Sequence, residues 1–130
     1  MATQLAYNPA SAGTPPEPLT IDAAAVGNTR SDIVDRGSLI DGGALELITT
    51  VGSTPTVTVN IQGSFDGTNW FNVPYALVAT PRTFVITAIT ITTATTNRYL
   101  LQEGIPYRYL SIVRSANTNV TFTTTKVWLR

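Results

Sequence analysis

The sequence predicts an all-β protein, an antiparallel β-sandwich or jelly roll of about seven to nine short strands. Short runs of β-branched and aromatic residues alternate with polar ones, and turn residues such as Gly, Pro, Asn and Asp recur between the runs. No segment shows a convincing apolar period near that of a helix, and only residues 22–26, with three alanines, rival a strand.

The clearest predicted strand covers residues 56–64, in which Val57, Val59 and Ile61 alternate with polar side chains. Residues 66–69 then reverse the chain into a second strand at 70–73, so that the two form a hairpin. The other predicted strands are 19–26, 32–35, 44–51, 83–92, 99–102, 107–114 and 120–129, with turns or breaks at 41–43, 52–55, 103–106 and 115–119.

Two parts of the chain are predicted, an extended N-terminal arm at residues 1–20 and a sandwich domain at 21–130. The arm is rich in Ala, Pro, Thr and Ser, and the prolines within 14–18 prevent both a helix and a central strand. One interpretation is a flexible terminus. The other is an arm that lies on a neighbouring subunit, with Leu5 and Tyr7 as apolar anchors.

The charge content is unusually low for a soluble domain. Only 12% of the residues are Asp, Glu, Lys or Arg, against about 25% in an ordinary domain. The formal net charge is zero, which favours association. We therefore expect partners to cover much of the surface, including residues 84–91, an uncharged strand edge. Nucleic acid is not an expected partner, because the arginines are scattered and Lys126 is the only lysine.

The residue types favour a protein without catalysis, cofactor or metal. The chain has no cysteine and no histidine, which excludes thiolate zinc sites and Ser-His-Asp triads. A glycosidase needs only two carboxylates, but no spacing selects a pair. The carboxylate candidates are Asp32, Asp35, Asp41, Glu46, Asp66 and Glu103.

The N-terminus and the apolar runs predict synthesis in a host cytoplasm without a membrane-spanning segment. The first residues lack the basic and apolar regions of a secretory signal. The uncharged apolar run 83–97 is too short to cross a bilayer and is rich in Thr.

Two groups of residues are candidate sites. Asp66, Gly67, Asn69 and Trp70 predict a structural hairpin, in which Asp bonds its own backbone, Gly takes a positive φ and Trp enters the core. A calcium or ligand role is the alternative, although the oxygen spacing of an EF-type loop is absent. Tyrosines and arginines interleave in the second group, a mixture enriched at protein interfaces. The predicted partner-binding residues of this group are Arg98, Tyr99, Tyr107, Arg108, Tyr109 and Arg114.

The hairpin at 57–73, with its Gln-Gly-Ser-Phe-Asp-Gly-Thr-Asn-Trp core, and the later stretches 105–112 and 115–117 resemble small jelly-roll proteins encoded among bacteriophage head genes. That resemblance implies a capsid decoration or cement protein. Such a protein would sit on the virion exterior as a homo-oligomer, with a trimer favoured, and would clamp adjacent major capsid subunits.

Two alternatives stay open at this point. The Ser-x-Asp-Gly-x-x-Trp hairpin is also similar to one in discoidin-like carbohydrate-binding domains, which implies an adhesin that binds a glycan through Trp70. A tail or baseplate protein built on the same type of sandwich is the other alternative.

Overall fold

The computed structural model describes residues 4–6, 19–21, 30–37 and 42–129, with backbone alone at 4–6. Every regular element in this part of the chain is a β-strand, so the predicted all-β class is confirmed. The strands are β1 (Gln4–Ala6), β2 (Leu19–Thr20), β3 (Ile33–Asp35), β4 (Gly43–Ser64), β5 (Trp70–Asn72), β6 (Tyr75–Leu77), β7 (Ile89–Ile91), β8 (Thr95–Leu101) and β9 (Tyr109–Leu129).

The two long strands β4 and β9 pair antiparallel along almost their whole length and organise the fold. Residues 43–51 of β4 pair with residues 120–129 of β9, and residues 56–64 pair with residues 109–118. Strands β2 to β9 all pair antiparallel, whereas β1 runs parallel to β3.

The pairing of the two long strands is irregular at one level, where the register shifts between Val51 and Thr58 of β4. Three residues there have a positive φ without being glycine, namely Thr54 on β4 and Ala116 and Asn119 on β9. Extra residues in a ladder bend a strand and increase its twist. The turn residues at 52–55 and 115–119 therefore mark a corner in a continuous strand pair rather than two chain reversals.

This corner divides the sheet into the two layers of a sandwich. Strands β2, β6 and β8 belong to the layer built on 43–51, and β1, β3, β5 and β7 to the layer built on 56–64. A buried apolar cluster draws on both layers. It includes Leu45, Leu47, Tyr99, Phe122 and Val127 from the first and Val34, Val57, Val59, Ile61 and Ile112 from the second.

The structure corrects several predicted strands. Residues 44–51 and 56–64 lie in one strand, as do 109–114 and 120–129, so two strands are long rather than short. Of the predicted strand 83–92, only Ile89–Ile91 is a strand, and β6 lies in a stretch predicted as a connection. These errors arise from local composition. The same turn residues occur at a bulge and at a chain reversal, and β-branched residues occur both in paired strands and in extended chain that is not part of a ladder.

Parts of the predicted arm are hydrogen-bonded to the chain's own sheet. Strand β1 pairs with β3, and β2 pairs with the last residues of β9. The amide of Ile21 continues this edge by donating to the carbonyl of Thr125 at 2.8 Å. The rest of the range 1–20 lies outside the described residues, as does most of the predicted strand 19–26.

Candidate interaction surfaces

The loop at residues 65–69, between β4 and β5, is held by hydrogen bonds among its own polar groups. The buried Ser64 hydroxyl accepts from the amide of Gly67 at 2.9 Å and donates to Asp66 Oδ1 at 3.0 Å. Asp66 Oδ1 also accepts from the amides of Thr68 and Asn69, both at 2.8 Å, and Asp66 Oδ2 accepts from Asn69 Nδ2 at 2.8 Å. Gly67 supplies the positive φ of 81° that this turn requires.

These hydrogen-bond donors stabilise the ionised form of the Asp66 carboxyl. The amides of Asn69 and Thr68, then the Asn69 side chain and the Ser64 hydroxyl, hold the pKa of the Asp66 carboxyl well below its usual range. With both oxygens engaged inside the loop, the carboxylate is arranged to stabilise the turn rather than to ligate an ion.

Trp70 lies half-buried at the sheet edge instead of in the core where the sequence placed it. The Arg30 guanidinium stacks on its ring, with Cζ 4.1 Å from the ring centroid. Arg30 Nη2 donates to Gln62 Oε1 at 2.8 Å, and Gln62 Nε2 donates to Asn72 Oδ1 at 3.1 Å. One face of the indole is thus occupied, and a sugar could stack only on the other face.

Three of the predicted partner-binding residues, Tyr99, Tyr107 and Arg114, are buried. The Tyr99 ring meets Tyr75 edge to face at a centroid distance of 5.4 Å, and burial, reinforced by Tyr75, raises the pKa of Tyr99 to about 12. Arg114 lies over the ring of Phe122, with Cζ 5.1 Å from the centroid. In the folded chain these side chains belong to the interior.

Tyr107 packs against the β4–β5 hairpin. Its ring lies against Gly63, where an added Cβ would come within 2.7 Å of Tyr107 Cγ. The guanidinium of the buried Arg36 stacks on the ring at 3.7 Å, and Arg36 Nη1 donates to the Tyr107 carbonyl at 3.0 Å. Burial raises the pKa of the Tyr107 hydroxyl, while Arg36 opposes that shift.

The other three residues of the set, Arg98, Arg108 and Tyr109, reach the surface. Arg98 Nε donates to Glu46 Oε2 at 2.7 Å. Arg108 donates through Nε and Nη2 to the two carboxylate oxygens of Asp35, both at 3.0 Å, and lies 5.3 Å from the centroid of the Tyr109 ring. The hydrogen bond to Asp35 and its charge raise the pKa of Arg108. The bidentate pair fixes the direction of one exposed cation.

The predicted anchors of the arm are only partly described. Leu5 lies in β1 and pairs through its backbone with Val34 of the same chain. Tyr7 lies outside the described residues.

A surface that the sequence indicated only in part lies between β6 and β7. All residues from 77 to 88 are exposed, and we call them the apolar segment. Val85 is tied to Tyr75 by two backbone hydrogen bonds of 2.9 Å, which hold the chain extended beside β6. The large apolar side chains exposed there are Leu77, Val78, Phe84, Val85 and Ile86. The absence of charged residues in 84–91 indicated an uncovered apolar edge. The same residues were predicted to form a regular strand, so the exposure of the whole stretch was not predicted.

Over the described ranges, no helix could span a membrane, and no group of three or more acidic residues lies close enough to hold a metal ion.

With this geometry in place, the chain can be compared with known proteins. Its fold is shared with the crystal structure of the SPBc2 prophage-derived protein YomS. The TM-score is 0.57 at 11% sequence identity, over 88% of this chain and 92% of that one. At this identity the likeness concerns the fold alone. No protein-family model matches the sequence, and no curated protein matches it either.

Proposed function

We propose that this chain is a non-enzymatic structural protein of a bacteriophage particle, which binds the outside of the capsid and stabilises contacts between major capsid subunits. The observation that carries a role in an assembly is the exposed apolar segment on a chain of zero formal net charge, because such a surface suits association with other subunits. Monomeric soluble proteins rarely leave such a contiguous apolar surface uncovered. The fold shared with a prophage-derived protein supports a phage origin.

The surroundings of three acidic residues support a role without catalysis. Asp35 is paired with Arg108, Glu46 with Arg98, and Asp66 is saturated within its own loop. A carboxylate that serves as a general acid needs a raised pKa, whereas the pKa values of Asp35 and Asp66 are both lowered.

Docking on the capsid would use Arg108 and Tyr109, which lie side by side at the start of β9. Arg98 lies beside Glu46 in the other layer, and it would serve a separate contact. Arginine and tyrosine offer large contact area with polar ends, and both are enriched where interfaces gain most of their free energy. Arg108 is oriented by Asp35 before any partner binds, so less side-chain entropy is lost on binding.

The test is co-sedimentation of the purified full chain with heads, tails and whole particles of the phage that encodes it, followed by cryo-electron microscopy of decorated particles. We expect binding to heads and density on the outer surface of the shell. Binding to tails alone would replace the capsid role with a tail or baseplate role. Binding to no particle would refute both.

A variant pair makes this test specific. Arg108→Ala removes an exposed oriented cation, and we expect its affinity for heads to fall by about tenfold. Lys126→Ala removes the same charge from the far end of β9 and should leave binding unchanged. Equal losses in the two variants would mean that overall charge, rather than this surface, drives binding.

A further inference from the structure

We infer that the apolar segment is a self-association surface, at which residues 84–88 of two copies of this chain pair antiparallel about a two-fold axis. The inference concerns contact between copies of the chain, and it stands whether or not the protein binds a capsid.

One residue of the apolar segment, Val85, forms a β-bridge to β6, the outermost strand on that side of the sheet. Val85 is bonded to Tyr75 on one side, so the chain is extended beside β6. Within the described ranges, no strand pairs with the other side of residues 84–88. Unpaired amides and carbonyls along an extended edge are a template for another strand. The side chains of Val85, Ile86 and Thr87 are β-branched, the type that packs best between paired strands.

The absence of charge selects a second copy as the occupant. In a two-fold contact, each residue near the axis lies close to the same residue of the other copy. A charged residue there would face its own sign, but the sequence contains no ionised side chain between residues 83 and 97. With a formal net charge of zero, the two copies also lack overall repulsion.

The charges that flank this edge are complementary in the same arrangement. Arg82 lies in the turn beyond the Leu77 end of β6. Glu103 lies beyond the opposite end, where the amide of Gln102 donates to the carbonyl of Pro74 at 3.2 Å. Antiparallel pairing reverses one copy relative to the other, so Arg82 of each copy approaches the Glu103 end of its partner. Neither residue forms a salt bridge within the described part of the chain.

The first experiment is analytical ultracentrifugation of the full chain from micromolar to millimolar concentration. The wild type should form a concentration-dependent dimer, and Ile86→Lys should weaken it by at least about tenfold. The matched control is Phe65→Lys, because Phe65 is 60% exposed and Ile86 is 57% exposed. That control should dimerise like the wild type, and circular dichroism with thermal unfolding would verify that all three proteins are folded.

Several results would overturn the inference. A wild type that stays monomeric over the whole range would do so, as would a dimer that Ile86→Lys leaves intact or that Phe65→Lys weakens equally. A monomer that still co-sediments with phage heads would overturn self-association and leave the proposed function standing. If residues 77–88 then became protected from hydrogen exchange only on heads, the occupant would be a capsid subunit.

The second experiment tests the antiparallel arrangement. Arg82→Glu and Glu103→Arg should each weaken the dimer at low salt, because each brings like charges together. The double variant should restore the affinity of the wild type. Failure of the double variant to recover would exclude this two-fold geometry.

Discussion

The loop at 65–69 and the apolar segment at 77–88 both connect strands at an edge of the sandwich, yet they meet water in opposite ways. In the loop, the Ser64 hydroxyl and the Asp66 carboxylate accept from the turn's own amides, and the Asn69 side chain donates to Asp66, so these polar groups are satisfied without any partner. In the apolar segment, large side chains face solvent, and the outer backbone edge has no strand partner among the described residues. The loop is ordered by its own hydrogen bonds, whereas the apolar segment has side chains that a partner could bury.

A polar motif and an apolar stretch indicate different things about a protein. A motif such as Ser-Phe-Asp-Gly-Thr-Asn-Trp draws attention because of its polar residues, but here most of those residues hold the loop itself. The apolar segment carries no motif, and its exposure is what points to association. Substitutions in the loop should therefore cost stability, and substitutions in the segment should change association instead.

The largest effect on stability is expected below the loop, at Gly63. Gly63→Ala would place a methyl group within 2.7 Å of the Tyr107 ring, in an interior without free space. We expect the free energy of unfolding to fall by about 3 kcal/mol, measured by urea denaturation.

The control for Gly63→Ala is Gly52→Ala, at the exposed corner of β4, where the added Cβ would meet the Asn119 side chain at 3.2 Å. This variant should lose clearly less stability, because a contact of 3.2 Å at an exposed corner requires a shift of only a few tenths of an ångström. Combining Gly63→Ala with Tyr107→Leu should recover part of the loss, since the flat ring is what the methyl group strikes. Additive losses would contradict this account.

The next effect concerns the hydroxyl that fixes the loop. Ser64→Ala leaves the amides of Gly67 and Asp66 without the acceptor that they share, at 2.9 and 3.3 Å. Because Ser64 is fully buried, we expect a loss of about 1.5 kcal/mol in the free energy of unfolding. Thr118→Ala removes an exposed hydroxyl from β9 and should have little effect. If the two variants unfold alike, the loop is not held as described.

A smaller, pH-dependent effect is expected from Asp66. Its folded pKa is depressed, so its contribution to stability is present above the unfolded pKa of about 3.9 and is lost as the pH falls towards the folded pKa. Urea denaturation between neutral pH and strong acid should therefore show a steep acid loss. Asp66→Asn should lower stability at neutral pH and flatten the acid branch of the curve.

Asp35 provides the comparison for this pH effect. Its pKa is lowered chiefly by the hydrogen bond from Arg108, so Asp35→Asn should also flatten the acid branch, but less, because fewer donors hold this carboxylate. An acid branch that Asp66→Asn leaves unchanged would show that the loop bonds do not favour the ionised carboxyl.

The sequence predicted the strand-rich class and the β4–β5 hairpin because both depend on local signals, the alternation along 56–64 and the turn chemistry of Asp66 and Gly67. It could not predict which tyrosines are buried. Tyr107 and Tyr109 are two positions apart, which a strand pattern places on the same face, yet contacts with Gly63 and Arg36 bury Tyr107 while Tyr109 stays half-exposed. Such burial depends on residues far apart in the chain, which single-sequence periodicity does not contain.

The smallest effect on stability is expected in the apolar segment, where the comparison is sharpest. Ile86→Thr keeps a β-branched side chain and removes apolar surface that is already in water, so the free energy of unfolding should change by no more than about 0.5 kcal/mol. Ile61→Thr makes the same replacement in the core and should cost far more, since it buries a hydroxyl. Self-association, measured by ultracentrifugation, should weaken in Ile86→Thr despite its unchanged stability. A large loss of stability would mean that Ile86 already packs against the chain itself, and the apolar segment would then need no partner.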